Sequence, residues 1–132
     1  MDDFIYFIKA FVKKSRQDRW IGFAESDWEK LTKEIHNLGN YLDERRCELI
    51  ENKAYDVAKK LIEDKKINKG IYIERYYPGD PFCNKYSTME PINLDDVSDD
   101  SLLICREKKI AFFFSHEGWI WICQENKTGK FA

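Results

Sequence analysis

Glycine and proline are sparse in this chain of 132 residues: 6 glycines and 3 prolines. The glycines stand singly at positions 22, 39, 70, 79, 118 and 129. A phosphate-cradling loop or a dinucleotide-binding fingerprint needs several glycines within one turn, so neither fits this spacing. Histidine is scarcer, with 2 in the chain. His36 falls among Glu34 and Asn37 on a predicted helix face, and His116 falls in Ser-His-Glu-Gly, four residues that read as a hairpin turn. No G-x-S-x-G elbow accompanies either one, so a serine or cysteine hydrolase of familiar pattern is not expected. The 4 cysteines, Cys47, Cys83, Cys105 and Cys123, include no C-x-x-C half-site, which argues against zinc. Asp95, Asp96, Asp99 and Asp100 lack the alternating oxygen ligands and central glycine of a calcium loop. Neither a metal nor any other cofactor is expected.

Charge of one sign is also missing. The 22 basic and 24 acidic side chains leave a net charge of −2, which gives no overall drive towards nucleic acid or an anionic membrane. The distribution is less even. Lys9 to Arg19 carries Lys9, Lys13, Lys14, Arg16 and Arg19 against Asp18, whereas Glu90 to Asp100 carries five acids and no base. No apolar run approaches the roughly 18 residues of a membrane span. The start, Met-Asp-Asp-Phe, has no basic segment leading an apolar one. A cytoplasmic chain with reduced, buried thiols is therefore expected, Cys105 and Cys123 coming near each other in the C-terminal strands.

What the chain does have is aromatic and β-branched residues, 15% of it being Phe, Trp and Tyr. Ser101 to Cys123 is three short apolar runs separated by Arg106–Lys109 and Ser115–Gly118. Such runs predict an antiparallel meander over about 101–106, 109–115 and 118–124. Alternation puts Leu102/Ile104, Ile110/Phe112/Phe114 and Trp119/Trp121/Cys123 on one face, and Leu103/Cys105, Ala111/Phe113 and Ile120/Ile122 on the other. Both faces are apolar, so both must be covered.

The cover is helical. Phe4, Phe7, Ile8 and Phe11 recur at i, i+3, i+4, i+7, predicting a helix over 2–14. Arg16–Glu25 reads as a connector. Ser26-Asp-Trp-Glu29 matches a capping box, and Trp28, Leu31, Ile35, Leu38, Leu42 and Leu49 continue a stripe that ends or kinks between Gly39 and Asp43, giving a helix over 26–42. A further helix is expected over 53–64 on Ala54, Val57, Ala58, Leu61 and Ile62, then a strand over 71–77. Residues 82–100 show no period. The whole predicts one α+β domain, 1–132.

With catalytic patterns missing, a protein–protein binding module remains, a nucleic-acid binder using Lys13–Trp20 or a small hydrolase around His116 being the alternatives. Lys13-Lys-Ser-Arg-Gln-Asp-Arg19, Ile35-His-Asn-Leu38, Tyr41-Leu-Asp-Glu-Arg45 and Ser101–Phe114 resemble segments of small bacterial proteins from toxin–antitoxin neighbourhoods. The chain's size, mild acidity and want of a catalytic motif are similar to those of immunity proteins of polymorphic or contact-dependent growth inhibition toxins. That resemblance implies a stoichiometric inhibitor, not an enzyme. Its partner would be a cognate toxin domain, a basic nuclease, with no membrane and no direct nucleic-acid contact. It further implies an acidic binding surface, placed here on Glu90, Asp95, Asp96, Asp99 and Asp100. Tyr76, Tyr77 and Phe82, beside Pro78-Gly79, are the expected aromatic anchors.

Overall fold

The computed structural model describes residues 2–74 and 86–125, without the side chains of Trp28 and Thr32. It is the expected α+β architecture. Helices α1 (Asp2–Phe11), α2 (Lys14–Ser26) and α3 (Trp28–Glu34) come first. They are followed by a 3₁₀ turn over Ile35–Tyr41, strand β1 (Cys47–Ile50) and helix α4 (Ala54–Asp64). Strands β2 (Gly70–Ile73), β3 (Ser87–Met89), β4 (Ser101–Cys105), β5 (Ile110–Phe114) and β6 (Ile120–Gln124) complete it. The six strands form one antiparallel sheet in the order β1-β6-β5-β4-β2-β3. No described helix is long and apolar enough to cross a membrane.

Both sheet faces are covered, as their composition requires. Over one lie α1, α2, α3 and the 3₁₀ turn. Phe4, Phe7, Phe11, Trp20, Leu31, Ile35 and Leu38 share a core there with Leu102, Ile104, Ala111, Phe113 and Cys123. Over the other lie α4 and the segment before β4. There Ala54, Ala58 and Leu94 meet Leu103, Cys105, Ile110, Phe112, Phe114, Ile120 and Ile122.

The faces group differently from the expectation. The turn at 106–109 pairs Cys105 with Ile110, so Leu102 stands opposite Phe113 and Ile104 opposite Ala111. Residues directly opposite share a face, so Ala111 and Phe113 join Leu102 and Ile104, while Ile110, Phe112 and Phe114 take the other side. The same register removes the expected proximity of Cys105 and Cys123, which belong to different cores. Cys123 stands opposite Cys47 instead.

Strands β1 and β3 were not expected, and other elements differ in their bounds. Residues 14–26 are helical, not a connector, and bury Trp20 and Ala24 one turn apart. Because α2 runs to Ser26, that hydroxyl donates back to the Gly22 carbonyl at 2.6 Å and is spent. Asp27, in non-helical backbone, caps α3 in its place by accepting from the Lys30 amide at 3.1 Å. The helix expected over 26–42 is α3 tightening into the 3₁₀ turn, and Leu49 lies in β1, not on a helical stripe. Of the strand expected over 71–77, residues 71–73 lie in β2, which starts one residue earlier, and 75–77 fall outside the described residues.

Two glycines make opposite predictions. A Cβ on Gly70 would meet the Ile104 carbonyl oxygen at 2.9 Å, a neighbour fixed in the sheet, whereas one on Gly22 meets nothing within 4 Å. Gly70→Ala is therefore expected to destabilise by about 1–3 kcal/mol. Gly22→Ala, in a helix interior, is expected to stabilise by about 0.5–1 kcal/mol. Urea unfolding of the two variants measures both signs.

Candidate functional site

The irregular stretch before β4 ends at one rim of the sheet, where β4 starts and β5 finishes and where the 115–119 turn and the start of α4 also arrive. Its conformation is fixed from within. The Asn93 side chain accepts from the Asp95 amide at 3.0 Å and donates to Asp96 Oδ2 at 3.1 Å, holding one turn of 3₁₀ helix. The Ser98 amide donates to Tyr72 Oη at 2.6 Å, and Ser101 Oγ donates to the Ser98 carbonyl at 2.6 Å. Asp100 sits in left-handed backbone at φ 56°, a region Asp tolerates better than most residues.

Asp100 is 2% exposed, so it is not part of an exposed acidic surface. It accepts from the His116 amide at 3.3 Å and from His116 Nδ1 at 2.9 Å, tying the stretch to the β5–β6 turn. The carboxylate places the ring proton on Nδ1 and leaves Nε2 outward, 3.6 Å from Glu117 Oε1. The hydrogen bond that Asp100 accepts and its charge, then Glu117 and Asp99, raise the His116 pKa above the ordinary value.

Held this way, the stretch turns Asp95, Asp96 and Asp99 to solvent in company with Glu117, Lys59 making a 3.5 Å ion pair to Asp95. Tyr55, in the first turn of α4, stacks on Phe114 with centroids 6.1 Å apart, and the negative charge of Asp99 raises its pKa further beyond what burial does. Val57, two residues along α4 and so across the helix from Tyr55 and Lys59, is 40% exposed. This end of the sheet thus offers carboxylates beside the half-buried Tyr55 ring.

Of the expected site residues, Asp95, Asp96 and Asp99 are exposed along this stretch. Asp100 is their buried anchor. Glu90 is exposed but belongs elsewhere: it lines a cavity of about 340 Å³ with Lys66, Lys69, Cys105 and Lys108, at the opposite end of β4. Tyr76, Tyr77 and Phe82 lie outside the described residues. Glu117 was visible in the sequence only as a neighbour of His116, and nothing in the sequence marks Tyr55. Val57, expected in the apolar stripe of the 53–64 helix, is exposed instead, because Ala54 and Ala58 turn α4 onto the sheet and leave it off the packed face.

The same geometry limits chemistry at His116. Ser101 is fully buried with its hydroxyl committed to Ser98, so it is no nucleophile for the imidazole. Burial pushes the Cys105 thiol up to about 12, which keeps it an unreactive thiol. Among the described residues no three His, Cys, Asp or Glu side chains gather as a metal site.

The Asp100–His116 pair gives a pH prediction with a definite sign. A folded-state pKa raised above the usual value near 6.5 contributes stability that is complete below that value and is lost as pH rises through the raised one. Solvent screens the half-exposed ring, so the effect on stability is small and the titration itself is the better readout. In NMR titrations the His116 midpoint is expected to fall in Asp100→Asn, a change the left-handed backbone accepts. An unchanged midpoint would mean that Asp100 does not hold the ring.

The chain matches no protein-family model, no curated protein and no solved structure.

Proposed function

We propose that this chain is a stoichiometric protein inhibitor, an immunity protein that binds and neutralises a cognate toxin domain with a basic active-site surface, such as a nuclease. The observation that carries the reading is the pre-set acidic edge. Asp95, Asp96 and Asp99 project from a stretch pinned at Asn93, Ser98, Asp100 and Ser101, so presenting them to a partner costs little ordering. Carboxylates held in this way steer a basic partner into encounter and form charge-assisted hydrogen bonds with its Arg and Lys side chains. The Tyr55 ring supplies apolar contact beside Asp99.

The inhibitor works by occupancy. It covers the partner's cationic substrate groove and turns nothing over, so no base, nucleophile or metal is required of it. The experiment is a calorimetric titration of the partner toxin domain with this chain. A one-to-one end point with loss of toxin activity is expected, together with affinity that weakens as salt is raised. Substoichiometric inactivation of the toxin would indicate catalysis and overturn the reading.

A further inference from the structure

The basic run Lys13–Arg19 takes no part in the acidic edge, and helix formation gives it an organisation the linear sequence hides. At 3.6 residues per turn, Trp20 and Ala24 point α2 into the core. Arg16, Arg19 and Phe23 then fall together on one flank, while Asp18 and Glu25 fall on the other. That flank is continued by residues from other elements. The Arg16 guanidinium lies 5.5 Å from the ring centre of Tyr41, Arg19 lies 5.1 Å from that of Phe23, and the Lys30 ammonium approaches Phe23 from α3 at 5.6 Å.

Buried Trp20 props both rings from beneath, edge-on to Phe23 at 5.6 Å and tilted to Tyr41 at 6.3 Å. Three exposed cations are thereby fixed over an aromatic floor that is itself anchored in the core. None of the three forms an ion pair among the described residues. The acids next along the chain are engaged: Asp27 caps α3, Glu29 pairs with Lys33 at 3.1 Å, and Glu34 accepts from Asn37. A row of preorganised cations with no intramolecular counter-charge suits an external anion.

We propose that Arg16, Arg19 and Lys30, laid over Tyr41 and Phe23, form a strip that binds the phosphate backbone of single-stranded nucleic acid. Two of the three cations are arginines, whose planar forks take phosphate oxygens in pairs. With one face of each guanidinium against a ring, the outer face is open to stack an unpaired base, an arrangement typical of single-strand recognition. The aromatic floor beneath the cations suits unpaired bases, whose faces are free to stack, more than the closed stack of a duplex. It lies on the helical layer over the first core, while the acidic edge borders the second, so the net charge of −2 conceals two surfaces of opposite sign. This surface is independent of the inhibitor reading and of its partner.

Fluorescence anisotropy with labelled single-stranded oligonucleotides of about 16 nucleotides, against a duplex of the same sequence, tests the proposal. Single strands are expected to bind more tightly than the duplex. With three phosphate contacts, affinity is expected to fall about 20-fold between roughly 50 and 200 mM salt. The triple variant R16A/R19A/K30A is expected to abolish binding, and R16K/R19K, which keeps the charge and loses the plane, to weaken it several-fold. All these side chains are exposed, so an unchanged melting temperature verifies the fold. The control K65A/K108A/K109A removes the same charge from elsewhere on the surface and is expected to leave binding intact. Absent binding, equal loss in the control, or equal affinity for polyglutamate or for phosphatidylserine vesicles would overturn the proposal.

Discussion

Phe113→Ala is expected to cost about 3–5 kcal/mol of stability, a large part of the roughly 5–15 kcal/mol that holds a domain of this size together. Phe113 is 1% exposed and stands in the middle of the sheet, opposite Leu102 on one neighbour and Trp121 on the other. Its ring reaches the 3₁₀ turn, where a Cβ on Gly39 would lie 3.7 Å from Cε2. Truncation therefore removes the contact between the central strand and the helical layer. Strands and helices box the cavity in on every side, leaving little room for collapse. Val57→Ala, at a surface position, is expected to change stability by less than about 0.5 kcal/mol. Denaturant midpoints of the two variants measure the contrast, and similar midpoints would contradict this account of the core.

Charge reversal on the acidic edge is expected to have the largest effect on binding. Changing Asp95, Asp96, Asp99 and Glu117 to lysine replaces attraction to a basic partner with repulsion at four exposed positions. Affinity for the toxin domain is expected to drop at least about 100-fold, mainly through slower association, with little remaining salt dependence. Glu90→Lys is expected to leave affinity unchanged, because Glu90 lies at the other end of β4 among lysines. Asp100→Asn separates anchoring from contact. It keeps the buried shape and removes the charge that holds His116, so its effect on affinity should be smaller than that of reversing Asp99. Stopped-flow association rates for the three variants measure these differences. A drop for Glu90→Lys matching that of the fourfold variant would place the surface elsewhere.

The parts of the fold legible in the sequence were those encoded locally. The run from Ser101 to Cys123 announced three strands because each is a short apolar burst between polar turns, and α1 and α4 carried clean helical stripes. What escaped is set by distant partners. β1 is four residues containing a glutamate, and it becomes a strand by pairing with β6 more than 70 residues later. β3 is Ser-Thr-Met, without strand composition, and is ordered by β2. α2 hid because Trp20 and Ala24 alone are fully buried along its length. The grouping of faces turned on a single residue of register at the 106–109 turn, which composition does not specify.

The acids divided in the same way. Their clustering at 95–100 was plain, but neighbouring Asp99 and Asp100 proved exposed and buried respectively. That distinction depends on the left-handed backbone at Asp100 and on His116, 16 residues further on. The arginines over Tyr41 and Phe23 likewise needed α2 and α3 to be placed before they became a strip.

Growth of cells expressing the product of the adjacent upstream reading frame, alone and together with this chain, tests the inhibitor reading most directly. The account predicts arrest with that product alone and rescue on co-expression. Rescue is also expected with Glu90→Lys and to be lost with the fourfold charge reversal. No arrest to relieve, or rescue that survives reversal of Asp95, Asp96, Asp99 and Glu117, would contradict it.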